Sequence, residues 1–289
     1  MEKGTLDFGT NLSSRRIYCI GDDMKVLILT RKRLLILLSC ALIAVICCGV
    51  ASYSAQKTVA TMGDMREIPI YYVDTNEKVC AISFDAAWGN EQTERLLNIL
   101  DEYNVKTTFF LVKQWVDKYP DSVRDIADHG HDIGNHSATH PHMAELSAEE
   151  QLTEITDCNK AVEKLTGHSP TLFRAPYGEY DNKLIRNLRS QDMYCVQWNI
   201  DSLDWKDPSA DEIVSRIDQK LCPGSIILLH NGAKNTPEAL PKLIQTIRDK
   251  GYRIVPISAI IPPGDYYTDH EGKMILKENT ASTARERAH

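Results

Sequence analysis

Apolar stretches of two different periods alternate along residues 79–257. Short runs rich in β-branched and aromatic residues predict strands at 79–84, 107–112, 132–135, 171–174, 194–200, 225–230 and 253–257. Stretches with helical spacing lie between them, at 90–102, 122–129, 148–165, 182–189, 210–220 and 237–250, and Ser147 with Glu150 forms a capping box ahead of the third. Strands that alternate with helices pair in parallel, so the pattern predicts an α/β fold.

The positions of polar residues distinguish a doubly wound sheet from a (β/α) barrel. Asp85, His136, Arg174, Asp201 and His230 each fall at or just past the C-terminal end of a different predicted strand. Loops after all the strands of a barrel converge at one mouth, whereas a doubly wound sheet gathers its site at one crevice. We therefore predict a distorted (β/α) barrel of about seven parallel strands over residues 78–261.

A long uncharged stretch precedes this domain. Residues 31 to 33 are Arg-Lys-Arg, and residues 34–53 are almost wholly apolar and close to the roughly 20 residues that a bilayer requires. Basic residues on the N-terminal flank favour a cytoplasmic segment at 1–33, one transmembrane anchor or uncleaved signal at 34–53, a tether at 54–77 and a domain outside the cytoplasm. The alternatives are a cleaved signal peptide and a buried soluble helix. Residues 262–289 are polar and predict a loose tail.

Composition narrows the class of partner. The 289 residues carry a net charge of -7, and no basic stripe is visible, which excludes a general nucleic-acid binder. The eight cysteines form no C-x-x-C pair, so neither a disulfide framework nor a zinc knuckle is expected.

Four short motifs could carry chemistry, and each also has a structural interpretation. His136 and His140 have the i, i+4 spacing that suits one metal ion on a helical turn, although nine histidines can produce this spacing by chance. Arg174 could hold a carboxylate, or lie at the surface beside a turn. The segment from Asp201 to Trp205 contains two acidic residues and an indole that could pack on a sugar face. Its structural interpretation is a strand end that runs into an acidic loop. His230 ends an apolar strand, and it could be either a catalytic histidine or a histidine of the core with its hydrogen bonds satisfied.

Taken in order, five motifs resemble those of NodB-type polysaccharide deacetylases, carbohydrate esterase family 4, with the sporulation-associated PdaB-like branch the most similar. They are S-F-D-A-A-W-G at 83–89, G-N-H-S-A-T-H at 134–140, F-R-A-P-Y-G at 173–178, D-S-L-D-W at 201–205 and L-L-H at 228–230. The resemblance implies metal-assisted hydrolysis of N-acetyl groups of a cell-envelope glycan, either peptidoglycan or a spore-related polymer. The resemblance implies this glycan as a partner, and the predicted anchor at 34–53 adds the membrane.

The resemblance also implies residue roles around the base. Asp85 is the general base, Arg174 orients it, and the Tyr177 amide helps to hold the oxyanion. His136 and His140 are ligands of a divalent metal, with zinc the expected ion.

The resemblance likewise implies the roles of the general acid and of the residues around it. His230 is the general acid, and Asp204 keeps its imidazole charged. Trp205 and Leu228 form the wall of the acetyl pocket. We interpret Trp88 and Gly89 as the turn into the first helix.

One residue departs from the family pattern. The family's first motif has two consecutive aspartates, the second being a third metal ligand, and here that position is Ala86. Two imidazoles fall short of the three protein ligands usual in catalytic zinc sites. Two hypotheses follow: an active N-deacetylase, or a catalytically impaired pseudoenzyme that binds glycan. A metal-dependent amidohydrolase acting on another substrate class remains a third alternative.

Overall fold

The computed structural model describes residues 16–18, 27–29, 31–62 and 66–277. The chain divides into two compact units, Met1–Met65 and Arg66–His289. In the first unit, strands β1 (Arg16–Tyr18) and β2 (Leu27–Leu29) pair antiparallel, and helix α1 spans Arg31–Met62.

Helix α1 covers the predicted 34–53 segment and extends beyond it at both ends. Large apolar side chains along it, such as Leu35 and Val45, are exposed. In the part of the chain that the structure describes, no helix combines the length and apolar character needed to cross a bilayer. The predicted transmembrane helix is therefore not confirmed in the described residues.

The second unit alternates strands with helices. Its strands are β3 (Tyr72–Val73), β4 (Val79–Ala86), β5 (Thr108–Leu111), β6 (Asp132–Asn135), β7 (Leu172–Phe173), β8 (Tyr194–Cys195), β9 (Ile200–Asp201), β10 (Ser225–His230), β11 (Arg253–Ile254), β12 (Tyr266–Thr268) and β13 (Lys273–Leu276). Its helices are α2 (Thr93–Glu102), α3 (Lys113–Lys118), α4 (Pro120–Asp128), α5 (Ala148–Thr166), α6 (Asn182–Ser190), α7 (Ala210–Asp218), α8 (Thr236–Asp249) and α9 (Ile257–Ile260). Short 3-10 helices occur at Met143–Glu145, Pro176–Gly178 and Asp204–Lys206.

These strands form one curled sheet. Their order is β12-β13-β3-β10-β4-β5-β6-β7-β8, with β11 beside β4 and β9 beside β10. Within the described part of this sheet, the β12/β13 and β10/β3 pairs are antiparallel and the other pairs are parallel. A parallel bridge between Ile70 and Val196 joins the segment before β3 to the segment after β8. The predicted parallel α/β architecture is confirmed, as a curled sheet whose β8 edge bends back toward β3.

Strand β4 lies at the centre and is buried along its whole length. Side chains alternate across a strand, so Ile82, Phe84 and Ala86 share one face, and they belong to the apolar cluster formed with the helices. Ala81 belongs to the cluster on the other face of the sheet. The alternation therefore directs Asp85 toward the inside of the curl.

Several predicted boundaries differ from the structure, and three of these differences change an element of the predicted fold. The predicted strand at 253–257 ends at Ile254, since Pro256 has no N–H for a ladder bond and caps α9 instead. The predicted tail at 262–289 contains β12 and β13, and Met274 is buried in the interior cluster. The predicted tether at 54–77 contains the end of α1, the buried Ile70 and β3. Strands β3, β12 and β13 have two to four residues each and lie in polar stretches that show no apolar period.

Candidate active site

The site residues gather where the parallel strands end. Asp85 is the last residue but one of β4 and His230 is the last of β10, and these two residues are partners across the parallel pair. His136 follows β6, Arg174 follows β7, and Asp204 follows β9. C-terminal ends of parallel strands lie at one edge of a sheet, so five distant sequence positions share one neighbourhood.

Asp85 forms a buried ion pair with Arg174. The Arg174 Nη1 donates to Asp85 Oδ1 at 2.8 Å, and 5% of Asp85 and 0% of Arg174 are exposed. Arg174 also donates to the carbonyl oxygens of Val196 and Gln197, at 3.4 and 3.1 Å, and its guanidinium lies 4.0 Å from the ring centroid of Phe110. The guanidinium is therefore fixed before any ligand arrives.

This environment decides the charge of Asp85. Burial raises its pKa, but the charge of Arg174 and its hydrogen bond to the carboxylate outweigh burial and leave the pKa below its ordinary value. Asp85 is therefore a carboxylate at neutral pH, with Oδ2 available to accept a proton.

The two predicted metal ligands lie side by side. Their ring centroids are 4.9 Å apart, and His136 Nδ1 donates to the Arg174 carbonyl at 2.8 Å. The other ring nitrogen, Nε2, lies 3.5 Å from Asp85 Oδ2. The helical turn expected at 136–140 is not formed, because Ser137 and His140 both have positive φ and the His140 amide donates to the Ser137 hydroxyl. A loop, not a helix, brings the rings together.

Both imidazoles are neutral at neutral pH. Burial lowers the pKa of His136 and lowers that of His140 to about 4. Neutral imidazole is the form that ligates a metal.

A third ligand is missing beside this pair. Ala86 has no donor atom, is fully buried and packs in the same cluster as Phe84. Among the residues that the structure describes, no group of three or more His, Cys, Asp or Glu side chains could hold a metal ion. The side chains present therefore do not by themselves fit a resident catalytic zinc ion, which usually takes three protein ligands.

His230 is held by a buried carboxylate. Its Nδ1 donates to Asp204 Oδ1 at 2.7 Å, and Asp204 Oδ2 accepts from the His230 amide at 2.8 Å and from the Thr236 hydroxyl at 2.6 Å. Burial lowers the pKa of His230, but the hydrogen bond and charge of Asp204 outweigh burial and raise it above its ordinary value. His230 can therefore carry a proton on Nε2 near neutral pH.

The remaining predicted residues border this centre. Tyr177 has a left-handed backbone (φ 59°) in its 3-10 helix, and its exposed ring contacts His140 at a centroid distance of 4.6 Å. Leu228 is buried in β10, two residues before His230 and so on the same face. Trp205 is half-exposed in the 3-10 helix after β9.

Sequence reasoning missed Trp88. Its ring stacks on His230 with centroids 5.4 Å apart, so it is more than the turn into α2. A large aromatic residue directly after a strand that ends in a candidate base was the only available signal.

Comparison with known proteins decides the family. A family profile described as "Polysaccharide deacetylase" matches residues 72–196. A "Peptidoglycan-N-acetylglucosamine deacetylase" of Bacillus cereus is 34% identical over 202 residues, which cover 68% of this chain and 72% of that protein. The chain belongs to the polysaccharide deacetylase family. Members of this family hydrolyse amide bonds of N-acetylated sugars, and the predicted family resemblance is confirmed.

Two further comparisons concern other polysaccharide deacetylases. "Peptidoglycan-N-acetylmuramic acid deacetylase PdaC" of Bacillus subtilis is 34% identical, and the match covers 65% of this chain but only 40% of PdaC. The structure of BA3943 from Bacillus anthracis, described as a CE4 family pseudoenzyme, matches with a TM-score of 0.65 and 33% identity over 68% of this chain and 70% of that one. A BA3943 mutant is described as having restored enzymatic activity.

Proposed function

We propose that the chain is an N-deacetylase of an N-acetylated cell-envelope glycan, either peptidoglycan or a spore-related polymer. One observation carries the proposal. Asp85 and His230 lie side by side on adjacent strands, and each has its own buried partner that favours the charge state its role requires. A carboxylate and a protonated imidazole are the base and acid that amide hydrolysis needs.

The chemistry follows from these positions. Asp85 takes a proton from a water molecule whose oxygen attacks the acetyl carbonyl carbon. The Tyr177 amide hydrogen-bonds to the oxyanion that forms, while Leu228 and Trp205 enclose the acetyl methyl group. His230 then donates its proton to the amide nitrogen as the carbon–nitrogen bond breaks, releasing acetate and a free sugar amine. Because the donor set does not fit a resident zinc ion, no step is assigned to a metal.

The proposed substrate class rests on the relatives. Those from Bacillus cereus and Bacillus subtilis are named as deacetylases of N-acetylglucosamine and N-acetylmuramic acid in peptidoglycan. Both sugars carry the N-acetyl group that the proposed chemistry would hydrolyse.

Acetate release tests the proposal. The purified full chain is incubated with N-acetylglucosamine oligomers and with peptidoglycan fragments, with and without Zn²⁺ or Co²⁺. We expect acetate from the wild type and its loss in Asp85→Asn. The exposed Asp121, which pairs only with Arg124 among its described contacts, supplies the matched control Asp121→Asn. Folded protein that releases no acetate from any substrate would refute the enzyme proposal.

A specific observation favours a second candidate, a pseudoenzyme that binds glycan without cleaving it. Ala86 removes the third metal ligand of the family pattern, and similarity to BA3943 adds a relative that is described as a pseudoenzyme. This candidate predicts glycan binding without acetate release, and no metal recovered with the protein.

Ala86→Asp tests, without relying on activity, whether His136 and His140 are posed for a metal. A carboxylate in this buried apolar position destabilises the fold unless it reaches a metal shared with His136 and His140. If the imidazoles are posed for a metal, added Zn²⁺ raises the melting temperature of Ala86→Asp far more than that of the wild type. Stoichiometric zinc already present in the wild type counts against the pseudoenzyme.

We also propose that helix α1 anchors the chain in the cell membrane, with the deacetylase domain outside the cytoplasm. The basic residues at 31–33 and the apolar side chains exposed along α1 support this. The test is membrane fractionation followed by protease treatment of intact cells. A domain in the soluble fraction, or one protected from the protease, contradicts it.

A further inference from the structure

Trp88 lies against the proposed acid without being buried. It follows β4 in the loop that leads into α2, and its indole stacks on the His230 imidazole with centroids 5.4 Å apart and planes 28° apart. Nevertheless 48% of Trp88 is exposed. An indole that covers part of the acid and also faces solvent borders the space in which the leaving group is protonated.

The loop framework fixes this position. A Cβ at Gly232 would lie 2.7 Å from both the Nε1 and the carbonyl oxygen of Trp88, so only glycine allows this approach without displacement. The Asn231 amide donates to the Asp85 carbonyl at 2.9 Å, and Trp115 Nε1 donates to the Gly89 carbonyl at 2.6 Å. The loops after β4 and β10 are thus interlocked, and the indole position does not depend on a ligand.

Exposed aromatic rings concentrate around the same mouth. In the described part of the second unit, the exposed aromatic side chains are Trp88, Tyr177, Trp205 and Tyr267. The first three lie in segments that follow the C-terminal ends of β4, β7 and β9, and only Tyr267 lies elsewhere, on β12. Sugar rings have apolar C–H faces that pack on aromatic faces, so this distribution favours a carbohydrate ligand at the mouth.

We propose that Trp88 is the stacking wall for the sugar ring whose amine is protonated by His230. The inference rests on the proposed glycan-binding function and adds a binding residue to it. The indole holds the pyranose ring of an N-acetylhexosamine unit so that its nitrogen faces the acid. The role needs an aromatic ring at this position, and an apolar side chain of similar bulk does not replace it.

Binding measurements on the full chain test this inference directly. An N-acetylglucosamine hexamer is titrated by calorimetry into the wild type, Trp88→Leu, Trp88→Phe and the control Tyr267→Ala. We expect Trp88→Leu to bind about tenfold more weakly, which is a loss of about 1.4 kcal/mol, because a central aromatic contact is truncated. Trp88→Phe should retain most of the affinity, and Tyr267→Ala all of it. Equal melting temperatures for the leucine and phenylalanine variants exclude a purely structural effect.

A second measurement needs no Trp88→Leu protein. In the wild type labelled with 5-fluorotryptophan, the Trp88 resonance is assigned from its absence in Trp88→Phe, and it should shift when the hexamer is added. The inference is overturned if the wild type binds the hexamer but the Trp88 resonance does not shift, or if Trp88→Leu binds as tightly as the wild type. Either result leaves the proposed function standing. A folded wild type that binds no glycan overturns both.

Discussion

Removing Arg174 should destabilise the fold by leaving Asp85 buried without a counterion. The perturbation is Arg174→Met, which keeps most of the side-chain volume and removes the charge, the hydrogen bond to Asp85 and those to the Val196 and Gln197 carbonyls. Because both partners are buried, solvent screens the pair little.

The magnitude follows from this geometry. Charge centres about 4 Å apart attract by about 4 kcal/mol at an effective dielectric constant of about 20. Removing one partner of a buried ion pair usually costs about 3–5 kcal/mol, because the other charge remains without compensation. We therefore expect Arg174→Met to lower the free energy of unfolding by about 3–5 kcal/mol. Asp85→Asn combined with Arg174→Met should recover about 1–3 kcal/mol of this loss.

The assay is urea unfolding of the full chain, followed by tryptophan fluorescence and repeated for both single variants and the double variant. Arg253→Met is the matched control, because Arg253 pairs with Glu77 at the surface and such pairs contribute about 0–1 kcal/mol. A loss below about 1 kcal/mol for Arg174→Met would show that Arg174 does not compensate a buried charge on Asp85. A double variant no more stable than Arg174→Met would show the same.

Three further predictions concern other parts of the domain. Asp204→Asn should lower the pKa of His230, which an NMR titration of its imidazole measures. In the wild type, the raised pKa of His230 stabilises the fold fully below about pH 6.5, and this stabilisation is lost as the pH rises through the folded-state pKa. The variant should therefore lose less stability over this pH range than the wild type. An unchanged His230 pKa contradicts this. Met274→Ala should cost about 2–5 kcal/mol in urea unfolding, since the side chain is buried, and a cost below about 0.5 kcal/mol would show that β13 is not part of the core. Gly232→Ala should cost about 1–3 kcal/mol and displace Trp88, visible as a changed 5-fluorotryptophan resonance, whereas an unchanged resonance contradicts the close contact.

Periodic patterns were sufficient for the regular part of the fold. Strands β6 and β10 begin and end where the pattern of apolar residues predicts, and the capping box at Ser147 starts α5. Strands β12 and β13, of three and four residues, lie in a polar stretch that shows no apolar period. Their place in the sheet depends on partners distant in the sequence, which a local pattern does not contain.

The candidate site also has residues that the sequence predicts and residues that it does not. Polar residues that end apolar strands could be identified from the sequence, because parallel strands bring their C-terminal ends together. The loop that carries His140 could not be identified from the sequence. Its residues with left-handed backbone are not glycines, and the i, i+4 spacing of the two histidines indicates a helix instead. Trp88 was missed because its contact with His230 depends on the interlocked loops after β4 and β10.

Acetate release is the most direct test of the central claim that Asp85 and His230 form a working base and acid. The full chain, Asp85→Asn and His230→Asn are each incubated with N-acetylglucosamine hexamer and with peptidoglycan fragments, with and without added Zn²⁺ or Co²⁺. We expect acetate from the wild type and a loss of about 10²-fold or more in each variant. A folded wild type that binds the hexamer but releases no acetate under any of these conditions would contradict it.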